Sequence, residues 1–264
     1  MNVIKFPGLN LIVNVPQFAF EVVGIKIYNY ALCIVFGIIV ALILCKISKN
    51  KFDIEFDDVL EYMIYALISG IIGARLYYVV FNFKNYSNDL LQILNFRDGG
   101  LAIYGGLIFG AITLILILKI KKKNILDFFD RIVPFVAIAQ AIGRWGNFFN
   151  VEAYGYNTNN ILRMGIVKQG IYSEVHPMFL YESMLNFILF FVLIKIQKNR
   201  KYKGQVLLYY LAGYSLFRGI LESLRIDSLM LGSFRVSQVL SIIIFIVVSL
   251  IIILKNRKDN IENK

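Results

Sequence analysis

The sequence predicts an all-α integral membrane protein, a bundle of seven transmembrane helices with a small cap on the outer side. Hydrophobic residues make up 58% of the 264 residues, and the mean hydropathy is +0.68. Only 17% of residues are charged, against roughly 25% in an average soluble domain. The chain also contains seven apolar segments, most of them close to the ~20 residues that cross a hydrocarbon core.

Residues 1–27 precede the first apolar segment and contain Pro7, Gly8 and Pro16 among scattered apolar residues. No basic stretch leads into a continuous apolar run there, so we expect an interfacial segment lying on the membrane rather than a cleaved signal peptide. The spans are then predicted at Tyr28–Cys45, Val59–Phe81, Leu101–Leu118, Ile132–Phe149, Pro177–Ile194, Val206–Leu221 and Val236–Leu254.

The distribution of Lys and Arg between these spans predicts their orientation. Seventeen of these residues lie in the connections after spans one, three and five and in the C-terminal tail. Eight lie in the N-terminal segment and in the connections after spans two, four and six, and three lie within spans. By the positive-inside rule the N-terminus faces outward and the C-terminus faces the cytoplasm. Residues 151–176 form the largest outward loop, which is too short for an independent domain and is predicted to be the cap. We therefore expect a single transmembrane catalytic domain over residues 1–264.

A formal charge of +11 would suggest nucleic acid binding in a soluble protein. In a membrane protein the positive residues are better explained as topology signals and contacts with anionic membrane lipid, so no nucleic acid partner is expected. The sequence contains neither a zinc-ligand cluster nor a phosphate-binding glycine loop, and we expect no metal and no cofactor. Cys33 and Cys45 lie about 18 Å apart along one predicted helix and are interpreted as packing residues.

The stretch GRWGNFFNVEAYG, residues 143–155, carries Arg144 and Asn147 at the end of the fourth apolar segment. An arginine inside a membrane helix costs about 2.5–3.5 kcal/mol on insertion scales, so it indicates a functional site. Arg144 and Asn147 are three residues apart and share a helix face. The alternative is an arginine that only pairs with a carboxylate on a neighbouring helix, and Glu182 is available for such a pair.

The sixth segment ends with a polar stripe in which Tyr214, Arg218, Glu222 and Arg225 recur at spacings of 4, 4 and 3. Such a stripe is hard to explain on a lipid-facing surface. An internal Arg218–Glu222 ion pair is the structural alternative. Arginines that converge at the outer ends of spans indicate a site for a phosphate-bearing lipid headgroup.

Other polar residues allow two interpretations each. Tyr104, near the outer end of the third segment, is typical of an interfacial aromatic anchor, but it also carries a hydroxyl that could serve a site. Arg75 either extends to the interface or belongs to the site. His176, the only histidine, is more often a capping residue than a catalyst at a helix entry. Glu152 and Glu182 are either site residues or ion-pair partners.

At these residues the sequence resembles the prolipoprotein diacylglyceryl transferase family of bacterial membrane enzymes. GRWGNFFNVEAYG resembles the most distinctive signature of that family, and four further blocks match in the family's order, over about Ile25 to Leu254. These blocks are IKIYNYALCIVFG, RDGGLAIYGGLIFG, HPMFLYE and GYSLFRGILESLR. The resemblance implies transfer of diacylglyceryl from phosphatidylglycerol to the thiol of the lipobox cysteine in a prolipoprotein signal peptide, with glycerol phosphate released. It also implies a multi-pass protein of the bacterial cytoplasmic membrane with its site toward the outer face.

The resemblance assigns roles residue by residue. Arg144 would bind the lipid phosphate, with Asn147 and Gly155 in the same signature, while Arg218 would assist, with Glu222 and Arg225 beside it. Tyr28 matches a family residue regarded as important. The third block departs from the family, because Tyr104-Gly105-Gly106 stands where the family has H-G-G with a proposed catalytic histidine. We therefore expect Tyr104 to orient the lipid or the thiol, and a histidine base not to be obligatory.

Two non-enzymatic functions remain as alternatives. A phospholipid flippase or transporter would use the same arginines along a translocation path, and would need polar residues reaching the cytoplasmic face. Spans three and seven carry almost none on their inner halves. A structural membrane subunit would use arginine–glutamate pairs to join helices, which leaves the one-sided placement of the polar residues unexplained.

Overall fold

A computed structural model describes residues 2–22, 24–49, 51–87, 89–95, 99–168 and 170–262. Arg97 and Asp98, which open the RDGG motif block, lie outside the described residues. The described chain is mostly helical and has the seven long helices that the apolar segments predict. They are α1 Asn29–Ile47, α2 Phe56–Phe81, α3 Ile103–Ile120, α4 Ile125–Asn150, α5 Met178–Lys198, α6 Gln205–Glu222 and α7 Val236–Glu262.

Five of these helices, α1, α2, α3, α5 and α7, are long and apolar enough to cross a membrane. α4 and α6 are of similar length but carry the polar residues on which the site prediction depends, including Arg144 and Arg218. Residues 1–48 and 130–264 form one compact unit, and residues 49–129 form a second.

The all-α class is wrong in one respect, because the structure also contains short strands. They are β1 Asn2–Phe6, β2 Leu11–Val15, β3 Phe18–Val22, β4 Ile25–Tyr28, β5 Met164–Lys168, β6 Ile171–Val175, β7 Met230–Leu231 and β8 Phe234–Arg235. Four of them form an antiparallel sheet in the order β2-β1-β5-β6. The N-terminal segment and the predicted cap loop therefore fold together, since β1 pairs with β5 through Lys5 and Gly165.

One face of this sheet packs on the ends of α4 and α5. Ile4, Phe6 and Val15 alternate with exposed residues along β1 and β2, as expected for strands with one buried face. They form a buried core with Phe148 of α4 and Phe179 of α5. Burying apolar side chains contributes about 25 cal/mol per Å², so this core fixes the sheet against the helix ends that carry Arg144 and Glu182.

A buried polar network joins α4, α5 and α6 at their opposite ends. Asp130 is fully buried, and its carboxylate accepts hydrogen bonds from the backbone N–H groups of Gly204 (2.7 Å) and Leu207 (2.8 Å). Arg200 lies 2.6 Å from the same carboxylate. Gln197 of α5 donates to the Asp130 carbonyl at 2.8 Å. Because the carboxylate satisfies donors at the start of α6, it acts as a cap and holds the three helices in register.

The unit formed by residues 49–129 contains α2 and α3, which approach closely through glycines. A Cβ on Gly105 would lie 2.4 Å from the carbonyl oxygen of Gly73, so neither helix tolerates a larger residue at this crossing. Arg75 of α2 is only 4% exposed and donates to the carbonyls of residues 92, 93, 99 and 100 at 2.7–3.1 Å. Arg75 therefore holds the backbone that precedes α3, rather than extending to the interface.

Candidate functional site

The candidate site is built around Glu182, which lies one turn inside α5 and is only 6% exposed. One carboxylate oxygen, Oε2, lies 2.7 Å from Nε of Arg144 on α4. The other oxygen, Oε1, lies 3.4 Å from Nη1 of Arg218 on α6 and 3.2 Å from Nη1 of Arg225, just beyond α6. A single carboxylate thus gathers three guanidinium groups, which we call the arginine cluster: Arg144, Arg218 and Arg225.

Glu182 is held in place by contacts between α4 and α5. The hydroxyl of Ser183 donates to the carbonyl of Ala141 at 2.8 Å and accepts from the indole N–H of Trp145 at 3.2 Å. The Trp145 ring also meets Phe179 edge-on, with centroids 5.3 Å apart. These contacts fix the rotation of α5 against α4, so the Glu182 carboxylate faces Arg144.

Further acidic groups balance the arginine cluster. Glu222 is buried one turn after Arg218, and its Oε2 lies 2.8 Å from Nη2 of Arg218. Asp227, at the more exposed rim, accepts from Arg225 through both oxygens, at 3.0 and 2.8 Å. Bidentate pairs of this kind fix geometry as well as charge. The predicted Arg218–Glu222 ion pair is present, and it is one part of a larger network.

Arg144 differs from the other two arginines because most of its guanidinium N–H groups have no partner among the described residues. Its only ion-pair or hydrogen-bond contact among the described residues is Nε with Glu182. Its side chain is a quarter exposed, so Nη1 and Nη2 retain donors that no described residue accepts. An outward-facing pair of N–H donors matches the oxygens of a phosphate.

Arg235 of β8 secures the chain that leaves α6, and the sequence analysis did not single it out. Its Nη1 donates to the backbone carbonyls of Glu222 and Arg225, and its Nη2 donates to the hydroxyl of Tyr156 at 3.0 Å. Arg225 therefore keeps its position although it lies beyond the end of α6 at Glu222. The only sequence signal for Arg235 was the position of its charge, immediately before the last predicted span.

The signature continues after α4 in a strained turn. Val151 and Ala153 both adopt left-handed backbone conformations, with φ of 52° and 53°, and such a conformation is particularly unfavourable for β-branched valine. The turn reverses the chain so that the Glu152 carboxylate accepts from Nδ2 of Asn147 at 2.9 Å. Strained backbone of this kind is concentrated at functional sites.

Tyr28 lies beside this turn. It is the residue before α1, is half exposed, and lines an open cleft. The cleft is also lined by Gln17, Tyr30, Asn150 and Glu152. The structure thus associates Tyr28 with the end of the signature through Glu152.

Gly155 brings the signature and the end of α6 together. Its N–H donates to the His176 carbonyl at 3.0 Å, and it forms an antiparallel bridge with Arg225. A Cβ at this position would lie 2.6 Å from the Leu224 oxygen and 2.8 Å from Cβ of His176. The absence of a side chain is therefore what allows three backbone segments to meet beside Arg225.

His176 and Tyr104 complete the set of predicted residues. Nδ1 of His176 lies 3.3 Å from the hydroxyl of Tyr181, and burial lowers the pKa of His176, which favours the neutral ring. Tyr104 belongs to the unit of residues 49–129, as the second residue of α3, and is 52% exposed. Among the described residues its hydroxyl has no hydrogen-bond partner.

A narrow crevice lies between α5 and α6. Tyr214 and Arg218 from the predicted stripe line it together with Glu182 and Asn186 of α5. The first two residues of the stripe therefore face α5.

Comparisons with known proteins give a consistent result. The family model described as prolipoprotein diacylglyceryl transferase matches residues 17–254. A protein of Clostridioides difficile (strain 630) named phosphatidylglycerol–prolipoprotein diacylglyceryl transferase is 44% identical over 248 residues, covering 93% of this chain and 98% of that protein. Proteins of the same name from Clostridium novyi (strain NT) and Finegoldia magna (strain ATCC 29328) are each 42% identical, covering 93% of this chain and 96% and 97% of the relatives.

Proposed function

The chain belongs to the prolipoprotein diacylglyceryl transferase family, and we propose that its arginine cluster carries out the transfer named in that family. The enzyme is a transferase that moves diacylglyceryl from phosphatidylglycerol to the cysteine thiol of a prolipoprotein. This is the first step of bacterial lipoprotein maturation. We infer that the acceptor is the lipobox cysteine of the signal peptide, as the sequence motifs imply. Family membership does not favour a flippase or a purely structural subunit.

The site assignment depends mainly on Arg144, whose Nη1 and Nη2 have no described partner although its Nε is fixed by Glu182. Transfer breaks the carbon–oxygen bond between the diacylglyceryl group and the phosphate, and the departing glycerol phosphate keeps the electron pair. Negative charge therefore develops on the phosphate oxygen during the reaction. Guanidinium donors that are already fixed stabilise this charge more than they stabilise the bound lipid, and that difference accelerates the reaction.

The nucleophile comes from the second substrate. The cysteine sulfur forms the new bond to the diacylglyceryl carbon, and the thiol proton passes to water. A free thiol with a pKa near 8.5 is only a few per cent ionised at about pH 7. A guanidinium close to the thiol, such as the open edge of Arg144, would favour the thiolate, so a dedicated histidine base is not required. Tyr104, which is half exposed, would orient the lipid or the thiol.

The other predicted residues support binding. Asn147 donates a hydrogen bond to Glu152, and Glu152 and Tyr28 line the open cleft beside the signature. Gly155 and Arg225 form the backbone bridge beside the cluster. We propose that phosphatidylglycerol binds through Arg144, Arg218, Arg225, Asn147 and Gly155. The distribution of Lys and Arg supports a site facing the outer side of the bacterial cytoplasmic membrane, with the N-terminus outward.

The test replaces Arg144 by alanine in the purified full-length protein. A lipobox peptide is incubated with phosphatidylglycerol vesicles, and mass spectrometry measures the gain of one diacylglyceryl unit. We expect Arg144→Ala to lower transfer about 100- to 1,000-fold, because loss of one donor to a developing oxyanion has that effect. Arg163→Ala is the matched control, since Arg163 also binds a glutamate (Glu174) through Nε but lies outside the cluster. Full activity of Arg144→Ala would refute the site assignment, and no transfer by the wild type would refute the proposed function.

A further inference from the structure

We propose that Glu182 is a positioning residue, whose single carboxylate sets the orientation of the arginine cluster before lipid binds. This inference rests on the proposed transfer reaction and gives a role to a residue outside the predicted site. Three helical elements contribute to the arrangement: α4 through Arg144, α5 through Glu182, and the end of α6 through Arg218 and Arg225.

The two carboxylate oxygens of Glu182 contact different arginines. Among the described residues, Oε2 contacts only Arg144, while Oε1 contacts both Arg218 and Arg225. Because Arg144 is engaged at Nε, its guanidinium plane is fixed while Nη1 and Nη2 stay available. A planar fork held at one edge presents its other donors in a defined direction, which a flexible lysine could not do. Glu182 thus determines where the open donors of Arg144 point.

Glu182 itself is not placed to touch lipid. Both of its oxygens are occupied by guanidinium groups, and the side chain is almost fully buried. Its backbone carbonyl accepts from Nδ2 of Asn186 at 2.8 Å, and its neighbour Ser183 is bonded to α4. The carboxylate therefore acts from a rigid support, which is the arrangement that a precisely oriented site requires.

Removing the charge of Glu182 should separate binding from turnover. Glu182→Gln makes the cluster more positive by one unit, so attraction for a lipid phosphate persists. The three guanidinium groups, however, lose their common partner and repel one another, and Arg144 is no longer held at Nε. A displacement of about 1 Å in a reacting group can lower the rate about 100-fold. We therefore expect kcat to fall about 100-fold while KM for phosphatidylglycerol is not raised.

The experiment compares kcat and KM of the full-length protein with phosphatidylglycerol vesicles and a lipobox peptide. Glu182→Gln and Glu182→Asp are measured beside the wild type. The aspartate keeps the charge, so the variant retains the balance of the cluster, but it withdraws the carboxylate by about 1.5 Å, one carbon–carbon bond. We expect it to have a kcat at least tenfold below the wild type and above that of the glutamine variant.

Glu174→Gln is the matched control, because it also removes the charge of a glutamate that pairs with Nε of an arginine, but that arginine, Arg163, lies outside the arginine cluster. A partly exposed ion pair outside the cluster contributes little, so we expect the kcat of this variant to stay within about fivefold of the wild type. If Glu182→Gln does not fold, as judged by its elution and melting in detergent, Glu182→Asp decides alone. A wild-type kcat in Glu182→Asp, or a loss expressed only in KM, overturns the inference. Absence of transfer in the wild type would instead overturn the proposed function.

Discussion

Replacing Gly155 by alanine tests whether the backbone around Arg225 is as closely packed as the structure indicates. The added Cβ would lie 2.6 Å from the Leu224 oxygen and 2.8 Å from Cβ of His176. Ordinary van der Waals contacts begin at 3.4 Å, so the shortfall against the Leu224 oxygen is about 0.8 Å. Both neighbours belong to or adjoin the backbone, so the strain cannot be relieved by rotating a flexible side chain.

The expected cost follows from this overlap. Overpacking in a closely packed region destabilises by about 1–3 kcal/mol. With the scaling of soluble domains of comparable size, that lowers Tm by about 2–12 °C. Moving Leu224 also moves Arg225, which bridges Gly155 and contacts Glu182. Transfer should therefore fall, by up to about 100-fold.

The assay combines thermal unfolding in detergent with the transfer measurement on the folded fraction. Gly143→Ala is the control for stability, because a Cβ at Gly143 meets no atom within 4 Å and alanine is about 1 kcal/mol more favourable than glycine in a helix. Its Tm should stay constant or rise. If Gly155→Ala has both wild-type Tm and wild-type transfer, the close approach beside Arg225 is not a constraint on the enzyme.

Three further predictions concern other residues. Arg75→Lys should lower Tm, because one ammonium group cannot serve four carbonyls and each unsatisfied buried group costs about 1–3 kcal/mol; an unchanged Tm contradicts this role. Burial raises the pKa of Asp227, but the hydrogen bond and charge of Arg225 outweigh it, so the pKa lies below its ordinary 3.8. The Arg225–Asp227 ion pair therefore stabilises the fold above pH 3.8, and this stabilisation disappears as pH falls through the lowered pKa of Asp227. Asp227→Asn should accordingly make Tm depend less on pH below about pH 4. Tyr104→Phe should reduce transfer about tenfold or less, as for one lost hydrogen bond, and complete loss with lipid binding intact would instead indicate an essential proton transfer.

The sequence predicted the helices well, because their signal is carried by long runs of apolar residues. All seven appear. Tyr214 and Arg218 of the polar stripe on α6 face α5, which the spacing along one helix did not specify. The strands were missed because they are short and have no comparable local signal. β1 and β5 are five residues each, and they become a sheet only by pairing across more than 150 residues, which no local pattern reveals.

The centre of the site was also only partly predictable. Spacing along a single helix identified Arg218 and Glu222 as neighbours, but it carries no information about pairs on different helices. Glu182 was therefore seen as an available partner for one arginine, whereas the structure gives it three. The left-handed turn at Val151 was unpredictable as well, since valine disfavours that conformation and only the surrounding packing imposes it.

Short backbone contacts connect the cap to the segment that carries Arg225 of the arginine cluster. The N–H of Tyr156 donates to the Leu224 carbonyl at 2.9 Å, and the N–H of His176 donates to the Tyr156 carbonyl at 3.0 Å. β6 ends at Val175, so His176 directly follows the sheet. These two hydrogen bonds therefore connect the sheet, through Tyr156, to Leu224, the residue before Arg225. α6 ends at Glu222, so Arg225 lies in the connection to α7, and contacts from outside the helix hold it in place. The sheet formed by the N-terminal segment and the loop after α4 thus helps to hold Arg225, whereas the other two arginines of the cluster lie on helices.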